Sequence, residues 1–192
     1  MDASTGLDCA GIAAVFDACF ADHADPATRA RMVRGGDEPV YRPATRWRPW
    51  AEVVYARDLA PSCLHEAAHW LRAGRARRHL ADFGYWYLPD GRDDAAQARF
   101  EVLEAEIQAI EWVLATCAGV TFRISADNLR SPEPSPAFRA AIAAAAERRC
   151  RAGLDGRFRV LAQALARASG RQVPDGDQAA LAWAAMGETV PA

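Results

Sequence analysis

The residues best placed to do chemistry lie in one short stretch, Cys63-Leu64-His65-Glu66-Ala67-Ala68-His69-Trp70, which contains HEAAH, an instance of the HExxH pattern. On a helix, positions four apart share a face one turn apart. His65 and His69 can therefore aim two imidazole nitrogens at one metal ion while Glu66 sits beside them. His23 and His79, the other histidines, are isolated in sequence. The competing reading is a pair of ordinary helix histidines with a solvated glutamate. Leu64, Ala67, Ala68, Trp70 and Leu71 weigh against it, because an apolar helix seldom carries two imidazoles and a carboxylate unless they have partners.

A metal held by two histidines needs at least one more protein ligand, and no third histidine follows at a short interval. The periodic run Phe100, Val102, Leu103, Ile107, Ile110, Trp112, Val113 and Leu114 predicts a long second helix from Asp93-Asp94 toward Gly119. It holds Glu101, Glu104, Glu106 and Glu111, a set that ordinarily makes a solvated face. A glutamate projecting from this helix is nonetheless the obvious third ligand. Glu104 comes first, since it shares its face with Leu103, Ile107 and Trp112 more closely than Glu106 does, and Glu101 comes second.

The two helices need elements to position them. Ile12, Val15, Phe16, Cys19 and Phe20 recur at helical spacing and predict an opening amphipathic helix over Leu7–Ala21. Gly and Pro punctuate short extended pieces over Gly35–Pro43, Val53-Val54-Tyr55 reads as a buried strand, and the motif helix runs from Ser62 to Ala73 with Gly74 as its stop. Val120-Thr121-Phe122-Arg123-Ile124-Ser125 alternates like a strand. Alanine-rich helices are expected over Pro136–Ala152, Arg157–Ser169 and Asp177–Met186. The sum is a single α+β domain over residues 1–192, a metal-site helix packed against a small sheet, with a helical C-terminal part.

Between the two long helices lie Arg75-Ala76-Arg77-Arg78-His79, the densest basic patch, and Asp82-Phe83-Gly84-Tyr85-Trp86-Tyr87. The arginines are read either as a solvated cluster or as a place that receives an acidic partner. Three aromatics in four positions cannot all face one core, so at least one is expected to be exposed or to cover the site.

Composition narrows the classes. With 192 residues, 51% hydrophobic content and a net charge of -2, the chain can bury a sizeable core and does not look like a dedicated nucleic-acid binder. It contains no lysine at all. No apolar run is long enough to span a bilayer and the N-terminus lacks a signal-peptide pattern, so a cytoplasmic location is expected. Five widely spaced cysteines suit reduced core thiols. No phosphate-binding glycine loop and no Ser or Cys nucleophile motif is present.

Many blocks in one order closely resemble the bacterial elongation factor P hydroxylase family. They are Gly36-Asp37-Glu38-Pro39-Val40-Tyr41, His65-Glu66-Ala67-Ala68-His69-Trp70, Ala73-Gly74-Arg75-Ala76-Arg77-Arg78, Asp82 to Tyr87 and Pro89-Asp90-Gly91-Arg92-Asp93. The resemblance continues through Phe100-Glu101, Val102, Glu104, Gln108-Ala109, Trp112 and Asp127-Asn128-Leu129, and covers roughly residues 8–170. Where the family often has lysine and proline after the matching glutamate, this chain has Glu106 and Ile107, which implies a second helix that starts earlier or runs straighter.

The resemblance implies hydroxylation of a lysine of translation elongation factor P after that lysine has received a β-lysyl group, in a zincin-like fold. It also implies a 2-His-1-carboxylate site at His65, His69 and Glu104, with Fe(II) as the divalent metal and dioxygen as co-substrate; the electron donor is not specified. Glu66 then orients a water or binds the substrate ammonium. Asp82, Tyr85 and Tyr87 become substrate-pocket candidates, and Arg75, Arg77 and Arg78 docking candidates for an acidic partner. Neither nucleic acid nor membrane is an expected partner. Two other classes stay open on the residues: a zinc metallohydrolase or peptidase with Glu66 as general base, and a non-enzymatic metal-stabilised binding module.

Overall fold

In the structure, a computed structural model, residues 6–84, 94–125 and 133–188 are described. The chain opens with α1 (Cys9–Phe20), started by Asp8, whose side chain accepts the Gly11 N–H at 2.8 Å. Its apolar face, Ile12, Phe16 and Phe20, is fully buried. Three short strands follow, β1 (Ala30–Arg34), β2 (Val40–Arg42) and β3 (Ala51–Tyr55), in the order β1-β3-β2. β3 is central, parallel to β1 with Met32 opposite Val53, and antiparallel to β2 with Val40 opposite Val54. Val53, Val54 and Tyr55 are all buried, as befits a strand covered by its neighbours and by helices.

The motif helix α2 (Ala60–Arg72) packs on β3, on α1 and on the long helix α3 (Asp94–Ala118). α3 in turn carries α4 (Pro136–Ala152) and α5 (Gly156–Ser169), and α6 (Gly176–Glu188) closes on α4. One continuous apolar cluster runs through all of them, so the described residues form a single α+β domain with six helices and a three-stranded sheet. All five cysteines are free thiols.

Two expectations need correction. The segment 120–125 is extended but pairs with no strand among the described residues. Its end is held instead by the Gln108 side chain, whose Nε2 donates to the Ser125 carbonyl at 2.7 Å while its Oε1 accepts the Ser125 N–H at 3.2 Å. The alternation is real because Phe122 and Ile124 pack against the core, yet a side-chain amide has taken the place of a neighbouring strand.

On α3, Val102 and Leu103 are exposed although they belong to the apolar run. Glu104 points inward, and with about 100° between successive residues its two predecessors must turn away.

α2 ends where the Gly74 stop predicts, at Arg72 with one residue between. Its cap is Ala73, in extended conformation, and its last carbonyls are satisfied by two arginines. Arg157, reaching across from α5, donates to the Trp70, Leu71 and Ala73 carbonyls at 3.0, 3.2 and 2.9 Å. Arg78 also donates to the Ala73 carbonyl, at 2.9 Å. Cations at a helix C-terminus oppose the negative end of the dipole. Both guanidiniums also lie over the buried Trp70 ring, at 4.2 Å for Arg157 and 6.0 Å for Arg78. Phe16 and Phe20 meet the same ring, with centroids 5.2 and 4.7 Å away.

Arg157→Met keeps the apolar stem and removes every donor. Chemical denaturation should register a loss of roughly 2–4 kcal/mol, the size set by buried carbonyls left without a charged donor.

Candidate metal centre

The i, i+4 spacing on α2 puts His65 and His69 on the face turned toward α3, their Nε2 atoms 3.1 Å apart. Glu104, 3% exposed, meets them from α3. Its Oε1 lies 3.5 Å from His65 Nε2 and its Oε2 4.0 Å from His69 Nε2. One ligand atom from each of the three residues falls within 4.8 Å of the others, a group that could hold a metal ion. Glu101 is elsewhere: it accepts from Ser135 Oγ at 3.2 Å and from Gln97 at 3.3 Å, and so supports the capping residue of α4. Glu106 pairs with Arg148 and Arg149 on α4.

Glu111 is a site residue that the spacing of histidines alone did not reveal. It is buried, and its Oε2 accepts from His65 Nδ1–H at 2.8 Å. That bond fixes the ring and leaves Nε2 as the nitrogen directed at Glu104 and His69. Gln108 is the other: fully buried one turn beyond Glu104, it donates to Glu104 Oε1 at 3.4 Å. The signal was present in the sequence as Glu104, Gln108 and Glu111 at i, i+4 and i+7, one polar stripe on a face distinct from that of Glu106.

The electrostatics are those of a crowded anionic site. Burial disfavours charge on His65, but Glu111 and Glu104 outweigh it and raise its pKa to about 10. Burial, reinforced by the neighbouring His65 charge, holds His69 well below its ordinary value. Glu66 is pushed up to about 7 by burial, His65 opposing and Glu104, Glu111 and Asp82 adding to the rise. A divalent cation fits this donor set: two imidazoles, a buried carboxylate beside them, and a second carboxylate orienting one imidazole from behind.

The cluster opens into a cavity of about 680 Å³, whose walls include Glu66, Asp82, Phe100 and Arg123. One wall is a ladder of rings. Phe83 stacks on Tyr41 with centroids 4.0 Å apart and lies nearly parallel to His69 at 6.3 Å. The Tyr41 hydroxyl donates to the Arg78 carbonyl at 2.8 Å, and burial raises its pKa to about 12. Asp82 and Phe83 both adopt left-handed backbone, with φ of 45° and 57°. Asp tolerates that region; for Phe it is strained, and such strain persists only where surroundings enforce it. Here the Tyr41 N–H donates to Asp82 Oδ1 at 2.8 Å, and Arg77 donates to the Phe83 carbonyl at 3.0 Å.

The basic patch divides. Arg78 turns inward, its Nε donating to the Ala27 carbonyl at 3.2 Å in addition to its bond on α2, whereas Arg75 and Arg77 are exposed. Tyr85 and Tyr87 lie outside the described residues.

Two comparisons bear on this site. The family model for elongation factor P hydroxylase matches residues 15–178. The elongation factor P lysine hydroxylase of Haemophilus influenzae is 44% identical over 155 residues, which span 80% of this chain and 85% of that protein.

Glu111→Gln keeps the shape while removing the carboxylate behind His65. Metal affinity, titrated on protein stripped with a chelator, should fall about 10- to 100-fold, with thermal unfolding of the metal-free protein little changed.

Proposed function

The chain belongs to the elongation factor P hydroxylase family, and from that premise we propose that it hydroxylates the β-lysylated lysine of translation elongation factor P with a non-haem Fe(II) centre. The observation that carries the reading is the convergence of His65, His69 and Glu104 at the floor of an acidic cavity. His65, His69 and Glu104 would hold the metal on one face, as a 2-His-1-carboxylate set. When bound, Fe(II) supplies open coordination positions for dioxygen, the co-substrate. A small sheet backing a helix that carries HExxH, with the carboxylate on the next helix, supports a zincin-like description of the site. The proposal includes a cytoplasmic location, where a translation factor is modified. No described helix is long and apolar enough to cross a membrane.

The remaining residues take roles suited to a cationic substrate. Glu66 and Asp82 line the cavity and would receive the ammonium groups of the modified lysine, whose lost hydration a neutral pocket would leave uncompensated and a basic one would oppose. The Phe83–Tyr41 stack supplies an apolar wall for the methylene chain and keeps water from one side of His69. Arg75 and Arg77 are in position to meet an acidic protein surface.

A zinc hydrolase would use Glu66 as general base, and a carboxyl near neutrality suits that role. The family membership supports the hydroxylase, in which Glu66 binds the ammonium or orients a water.

Mass spectrometry of elongation factor P from cells with and without this gene tests the function. The factor should lack one oxygen on its modified lysine when the gene is deleted or carries His65→Ala; an unchanged mass overturns the proposal. Protein purified without air and reloaded with metal should hydroxylate with iron, whereas activity with zinc alone would point to the hydrolase.

Asp82→Asn isolates charge from shape, because Asn tolerates the left-handed backbone and can still accept the Tyr41 N–H. It should raise KM for the factor about tenfold and leave metal content unchanged.

A further inference from the structure

The hairpin that joins β2 to β3 presents a feature the catalytic cavity does not use. At its tip Trp47 is 81% exposed, the most exposed of the large hydrophobic side chains among the described residues. Arg46 stacks on it, with its guanidinium carbon 4.4 Å from the ring centroid. An indole held out in water gains nothing for folding; burial against a partner is what such a side chain offers.

The tip is built rather than loose. The Thr45 N–H donates to the Arg48 carbonyl at 2.8 Å, and Thr45 Oγ1 accepts the N–H groups of Trp47 and Arg48 at 3.3 and 3.1 Å. Arg48 ties the two arms together, donating to the Pro43 carbonyl at 2.8 Å and the Trp50 carbonyl at 3.1 Å, and pairing with Glu52 at 3.0 Å. Glu52 also takes Arg42, at 3.1 Å. A rigid tip presents its aromatic with little ordering left to lose on association. Its charge is one-sided: three guanidiniums, those of Arg42, Arg46 and Arg48, stand against the single carboxylate of Glu52.

Position supplies the last step. Strand β2 is part of the cavity wall, through Val40 and Tyr41. The seven residue steps from Val40 to Trp47 span at most about 25 Å of extended chain. A standard interface of roughly 800 Å² per partner is about 30 Å across. An interface of that width with the cavity toward one side of it reaches the tip.

We propose that Arg46 and Trp47 form a docking surface for an acidic face of the protein substrate, engaged while its lysine occupies the cavity. The inference rests on the function proposed above, in that the substrate is a whole protein. Trp and Arg are the residue types that dominate such contacts.

The test uses metal-loaded enzyme with two substrates, β-lysylated elongation factor P and a short peptide carrying the same modified lysine. Trp47→Ala should raise KM for the factor about tenfold with kcat unchanged, and should leave the peptide's kinetics as they were. Arg46→Ala should raise KM for the factor less at high salt than at low salt. Both variants should keep the thermal midpoint, because the side chains are exposed. A factor KM within twofold of the original, or an equal change for factor and peptide, overturns the docking surface while leaving the function intact. Failure of the unaltered enzyme to hydroxylate either substrate overturns the function, and the docking inference with it.

Discussion

Two carboxylates and two imidazoles, closed away between α2 and α3, set the terms for the rest of the molecule. Glu104 and Glu111 are buried together on one helix, a costly arrangement unless positive charge stands opposite. His65 is what stands there, bonded to Glu111 through Nδ1 and near Glu104 through Nε2. Neither helix can rotate or slide by a residue without separating these groups. A site of this kind therefore fixes the register between α2 and α3 more strictly than apolar packing does, since packing tolerates substitutions of similar volume.

The scaffold meets that demand from behind the motif helix. Trp70 lies one position after His69 and faces the opposite way, into Phe16 and Phe20 of α1 and under Arg157 of α5. One turn of α2 thus carries the chemistry on one side and the main aromatic anchor on the other. In the cavity wall the same economy recurs: Tyr41 belongs to β2, holds Asp82 through its backbone N–H, and stacks on Phe83 through its ring. Sheet and turn are joined through that residue, the motif helix through Phe83 beside His69, and the left-handed turn at Asp82 and Phe83 is held where the substrate would lie.

Much of this was legible in the chain. Helix α4 was read over Pro136–Ala152 and observed there, because Ser135, Pro136 and Gly153 mark its ends by local rules. Glu104 was reached from a face it was read to share with Leu103, Ile107 and Trp112, of which Ile107 and Trp112 are buried with it and Leu103 is exposed. What escaped was long-range. The arginines that close the end of the motif helix, before its Gly74 stop, follow no local rule. The 120–125 strand failed because its partner is the amide of Gln108. Glu111 looked like one of four solvated carboxylates, and only the imidazole across the helix interface makes its burial reasonable. Tertiary partners, not local propensity, separated those four glutamates into distinct duties.

The grip of Arg157 on the end of α2 has a consequence in time. The two are separated by 87 residues, and a ribosome adding about 5–20 residues per second needs roughly 4–17 s to cover that interval. For that period the nascent motif helix has its histidines but not the cation that closes its C-terminus, and α3 is still emerging. The end of the motif helix is therefore closed only near the end of synthesis, after α5 has left the exit tunnel.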